Sequence, residues 1–87
     1  MVVYVRKNGR KQNRLGLTVG TKIGKAVVRN RTRRRLREIY RTNEDKLLPG
    51  YDVVVVARVR AAHATYAAME QEFLRLAGKV GLREVSQ

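Results

Sequence analysis

Between Val27 and Arg41 the chain places seven arginines and a single acid, Glu38, in fifteen residues, VVRNRTRRRLREIYR. Guanidinium groups are planar forks that grip phosphate through paired hydrogen bonds, and they do not deprotonate in proteins. The chemistry on offer is therefore anion recognition, not proton transfer. Lys22 and Lys25 stand just ahead of the segment, where a helix starting near residue 25 would aim free backbone N–H groups and the positive end of its dipole at the same anion. Cations at that end oppose the dipole, so their placement fits a phosphate or sulfate held between them. Asn30 is a mediocre helix former set too deep to cap, which points to a hydrogen-bonding role on RNA. Covalent chemistry has little to work with elsewhere. The one histidine, His63, lies in an alanine-rich stretch with no acid beside it and reads as an exposed or helix-start residue. Metal-ligand spacing and a glycine-rich phosphate loop are absent. Glu70 and Glu72 read as the wet side of a helix. If the protein serves catalysis, its partner is expected to do the chemistry.

The charge is unevenly spread. Residues 1 to 41 hold 14 Lys and Arg against one acid, while residues 42 to 87 hold six of each, so the whole net charge of +13 lies in the first half. One-sided basicity of this size is the electrostatic footprint of a polyanion binder. An anionic membrane surface is the weaker candidate, because the basic segment lacks the broad Trp, Phe and Leu face of an interfacial helix. No apolar run is longer than that from Val53 to Ala57, far short of the roughly 18 residues of a membrane span. With no cysteine, neither disulfides nor thiolate metal sites are available. A single RNA-binding domain over 1–87 in a cytoplasmic protein is the simplest reading.

The elements that must position these side chains are legible in outline. Val2 to Arg6 and Arg14 to Gly20 alternate as half-buried strands, and a hairpin is expected, with a loop of residues 7 to 13 that sets Val5 opposite Leu15 and Val3 opposite Leu17. A helix is predicted from about Lys25 to Arg41. Pro49-Gly50 ends the next connection, and Tyr51 to Arg58 is a β-branched run predicted to be a central strand covered on both faces. Tyr66, Met69, Phe73, Leu76, Ala77 and Val80 recur at helical spacing, giving a second amphipathic helix closed by Gly78 or Gly81. The order β-β-α-β-α makes an α+β fold, a small sheet with two helices.

On a wheel of 100° per residue with Val28 at zero, Ile39, Thr32, Leu36 and Tyr40 occupy an arc up to about 120°. The same geometry spreads Arg29, Arg33, Arg37, Asn30, Arg41, Arg34 and Arg31 over the rest, from about 100° to 300°. Like charges three and four residues apart cost tenths of a kcal/mol per pair in an isolated helix. The segment is thus tuned against its own stability. Arg35 alone falls inside the apolar arc, so it must reach the margin or find a partner, such as an acid from elsewhere.

The run KIGKAVVRNRTRRRLRE, Lys22 to Glu38, resembles the arginine-asparagine-arginine signature of the bacterial ribonuclease P protein subunits, with Arg14 to Val19 and Tyr51 to Arg58 similar to the flanking strands. The resemblance implies a basic subunit of a catalytic RNA that removes the 5′ leader from precursor tRNA, the RNA cleaving with its own magnesium ions and the protein alone binding no cofactor. It implies RNA contacts by Lys22, Lys25, Arg29, Asn30, Arg31, Arg33, Arg34 and Arg37, and a leader-binding cleft to which Tyr4 and Arg58 belong. An ordinary strand tyrosine is the other reading of Tyr4. The fold implied is α-β-β-β-α-β-α with a left-handed β-α-β crossover. Its leading helix and a further strand have no counterpart before Val2, which leaves the first strand with an exposed edge open to self-association or strand exchange. Arg35 stands where the family more often has an apolar residue. A structural RNA-binding protein of ribosomal type is the rival class.

Overall fold

A computed structural model describes residues 1–84. Strands β1 (Val2–Lys7) and β2 (Arg14–Thr18), helix α1 (Ala26–Asn43), strand β3 (Tyr51–Val56) and helix α2 (Tyr66–Lys79) follow in the expected order. Short 3-10 turns at Thr21–Ile23, Glu44–Lys46 and Val59–Ala62 join them.

The expected hairpin does not form. The sheet order is β1-β3-β2, with β1 antiparallel and β2 parallel to β3. The physical reason lies in β3, whose four consecutive valines are the strongest strand formers in the chain; pairing on both edges suits them better than an edge position. Six residues between β1 and β2 easily span the roughly 10 Å across one intervening strand. Val5 and Leu15 both register with Val53, and Val3 and Leu17 both register with Val55. The predicted apolar matches thus survive as three-strand rows, with β3 inserted between the expected partners.

A second expectation is also corrected, because β3 is covered on one face only. Val53 and Val55 are fully buried beneath the helices, whereas Val54 is 38% exposed and Tyr4, its β1 partner, 58%. The core under the covered face joins Val3, Val53 and Val55 to Leu36, Ile39 and Tyr40 of α1 and to Met69 and Phe73 of α2. Tyr40 and Phe73 meet edge to face at 6.5 Å between centroids, a geometry favoured by the ring quadrupoles.

The two helices are finished differently. Thr65 caps α2, accepting the Ala68 N–H at 3.1 Å. Beyond the other end, Gly81 takes φ 81° while Leu82 N–H reaches Ala77 O at 2.8 Å and Gly81 N–H reaches Gly78 O. This is a Schellman motif, which makes Gly81 the stop and leaves Gly78 inside the helix. At the head of α1, Lys25 occupies the cap position with no side-chain bond, and no acid lies in the first turn. Gly24 precedes it at φ 146°, with the Val28 side chain so close that a Cβ at Gly24 would meet it at 3.3 Å. Among the described residues no helix is long and apolar enough to cross a membrane.

Candidate nucleic-acid interface

The helical wheel of α1 is realised in the fold. Thr32, Leu36, Ile39, Tyr40 and Asn43 are buried, and Arg31, Arg34, Arg37, Arg41 and Asn30 face solvent. Arg29 and Arg33 are half-buried and each bonds nearby: Arg29 Nη1 donates to Gly24 O, just ahead of the helix, at 3.2 Å, and Arg33 Nη1 to Asn30 Oδ1 at 3.2 Å. Asn30 thus orients an arginine of the same face. Lys22 and Lys25 are exposed beside the uncapped N-terminus. Among the described residues the ion pairs involve Met1, Arg6, Arg14, Asp52 and Glu72; none reaches α1, and Glu38 relieves none of its arginines. The sequence-predicted set Lys22, Lys25, Arg29, Asn30, Arg31, Arg33, Arg34 and Arg37 is therefore brought onto one continuous, uncompensated surface.

Arg35 finds a carbonyl instead of an acid. Its Nη1 lies 3.4 Å from Ala64 O, ahead of α2, so the arginine in the apolar arc extends to the loop that opens the second helix. Glu70 and Glu72 are also more than a wet face. Buried Asn43 donates to Ile39 O and to Glu70 Oε2, both at 2.8 Å, tying α1 to α2. The Met1 amino group lies 2.8 Å from Glu72 Oε1 and holds that carboxyl below its ordinary range, with Arg60 adding a smaller pull in the same direction. His63 is exposed, as expected.

The open sheet face is a second surface. Tyr4, Val54 and Gly16 form one transverse row, and Arg6, Asp52 and Arg14 the next. Arg14 clasps Asp52 through Nε and Nη2, both at 2.9 Å, Asn8 Nδ2 adds a bond at 3.1 Å, and Arg6 stands at 3.7 Å. The Arg14 and Asn8 hydrogen bonds hold the Asp52 carboxyl well below the usual carboxylate range, with Arg6 contributing through charge. Sequence reasoning missed this cluster, since Asp52 meets both arginines only once β3 lies between β1 and β2. Its signal was one acid at the head of a valine run. Tyr4 and Arg58 are not brought together: Tyr4 is mid-strand opposite Val54, while Arg58 lies past the end of β3 and lines a separate cavity.

The Ribonuclease P family model matches residues 1–81. The ribonuclease P protein component of Natranaerobius thermophilus is 43% identical over 79 residues, covering 91% of this chain and 69% of that protein. The structure of the Staphylococcus aureus RNase P protein superposes with TM-score 0.83 at 28% identity, over 94% of this chain and 75% of that one. The Thermotoga maritima RNase P protein, in complex with 1-(4-fluorophenyl)-2-thiourea, gives TM-score 0.81 at 33% identity, over 97% and 78%.

Proposed function

This chain belongs to the ribonuclease P protein family, is the protein subunit that partners ribonuclease P RNA in tRNA processing, and, on that premise, we propose how its surfaces divide the work. The arginine face of α1, with Lys22 and Lys25, docks on the catalytic RNA. The open sheet face takes the single-stranded leader of precursor tRNA, Tyr4 offering a ring for base stacking. The complex acts in the cytoplasm, with the chain serving as one RNA-binding unit.

One observation carries the reading: the arginine face is presented to solvent without a single ion pair to α1 among the described residues. Its mutual repulsion falls when phosphates replace water around it, and counterions released from the RNA favour the complex further. The bond cleavage is assigned to the RNA and its magnesium ions. Support comes from three of the chain's seven carboxylates, which are spent on its own cations and amides: Asp52 on Arg14 and Asn8, Glu70 on Asn43, Glu72 on Met1. Among the described residues no three His, Asp or Glu side chains gather where they could hold a divalent cation.

The test is cleavage of precursor tRNA by ribonuclease P RNA at low magnesium, with and without the chain. Addition is expected to raise the rate; an unchanged rate with full RNA binding would instead describe the ribosomal-type binder. β1 lies at the sheet edge, and we place a second copy there in concentrated solution, by edge pairing or strand exchange. A monomeric mass by light scattering at millimolar concentration would sink that placement.

A further inference from the structure

Beyond α1 and the open sheet face, a cavity of about 500 Å³ lies at the corner where the start of β1, the Val59–Ala62 turn and the first turns of α2 meet. Arg58, Arg60 and His63 reach into its lining, over a floor kept roomy by Ala61, Ala64 and Ala68. Glu72 is the one acid in that lining. Two guanidinium groups against one carboxylate leave the space net positive even with His63 neutral. Among the described residues neither Arg58 nor Arg60 enters an ion pair, and neither donates a side-chain hydrogen bond. The volume is in the range of small-ligand sites, large enough for a phosphate and its sugar. The turn carrying Arg60 packs against the turn carrying Lys22 and against α1, so the cavity lies next to the helix that carries the arginine face.

We propose that this corner is a second phosphate site for RNA, in which Arg58 and Arg60 take a backbone phosphodiester and His63 lends an imidazole donor or acceptor. It rests on the reading of the chain as an RNA-binding subunit, and it places RNA contacts in the half of the sequence whose net charge is zero. Guanidinium forks favour a phosphodiester here, and proximity to α1 favours one from the same RNA complex over an independent ligand.

The experiment measures affinity for ribonuclease P RNA over a series of salt concentrations, using the full chain with Arg60→Ala, Arg60→Lys and Arg31→Ala. Arg60 is exposed, and thermal melts check that each variant keeps its fold. Arg60→Ala is expected to weaken binding severalfold and lower the logarithmic salt slope by about 0.7 to 0.9, while Arg60→Lys keeps the slope and loses part of the affinity. The ring signals of His63, the only histidine, are expected to shift when RNA is added to the unmodified chain. Repeating the series with precursor tRNA, with and without its leader, on the assembled complex shows which RNA supplies the phosphate. If Arg60→Ala matches the parent in both series while Arg31→Ala loses affinity and slope, the corner site is overturned and the arginine face stands. If both match the parent, both readings fall. Unmoved His63 signals in a bound complex also overturn the site.

Discussion

Helices α1 and α2 pack on the same face of the same sheet, yet they are finished to opposite ends. α2 has a threonine cap, a glycine stop with buried Leu82 behind it, and acids tied to neighbouring groups. α1 has a lysine in the cap position, no acid in its first turn, and seven arginines relieved by no ion pair. Each device missing from α1 is one that would stabilise a free helix. α2 is thus completed by its own fold. α1 holds its apolar arc in the core and leaves its electrostatics to be completed by a polyanion.

That contrast can be broken most severely from the α2 side. Phe73→Ala removes a fully buried ring and is expected to cost about 3 to 5 kcal/mol, seen as a collapse of the urea midpoint. Arg31→Ala with Arg34→Ala should do the reverse: folding stability stays within about 0.5 kcal/mol or rises, while the salt slope of RNA binding drops by about 1 per arginine. Arg75→Ala on α2 serves as the control that moves neither. Exchanging the cap logic sharpens the point. Thr65→Ala is expected to cost about 1 kcal/mol of stability, whereas Lys25→Asp should add some tenths to about 1 kcal/mol and weaken RNA binding; parallel denaturation and filter-binding curves would expose a helix that behaves otherwise. The smallest effect is the pH response of the open face. Because Asp52 titrates lower in the fold than its usual value of about 3.9, its contribution is present above that value and lost as pH falls below it toward the folded pKa. The denaturation midpoint of Asp52→Asn should therefore fall less between pH 5 and pH 2 than that of the parent, and parallel curves would remove Asp52 from the account.

Much of α1 was legible because helical geometry is local: a repeat of 100° per residue sorts fifteen side chains into a docking arc and a basic arc with no knowledge of the rest. The apolar stripe of α2 was legible for the same reason, while its Thr65 cap was read only from the fold. Strand order was not. Alternation in Val2 to Arg6 and Arg14 to Gly20 fixes which side chains share a face, and those assignments hold, but it carries no information about which strand lies alongside. The insertion of β3 changed the hairpin into a three-strand row and created the Arg6, Asp52 and Arg14 cluster, two consequences of pairing at long range. Arg35 was opaque because its partner is a backbone carbonyl, which every residue carries and no sequence pattern marks.

The middle strand of the sheet is also the last of the three to be synthesised. Until Tyr51 to Val56 emerges, the strand that both β1 and β2 pair with in the fold is missing, and the segment already made is the half that carries all the net positive charge. Sheet formation therefore waits on contacts closed over some forty to fifty residues of chain, a slow class of folding step. In that interval the newborn protein is an unfolded polycation, exposed to whatever RNA is nearest before its arginine helix has a surface to stand on.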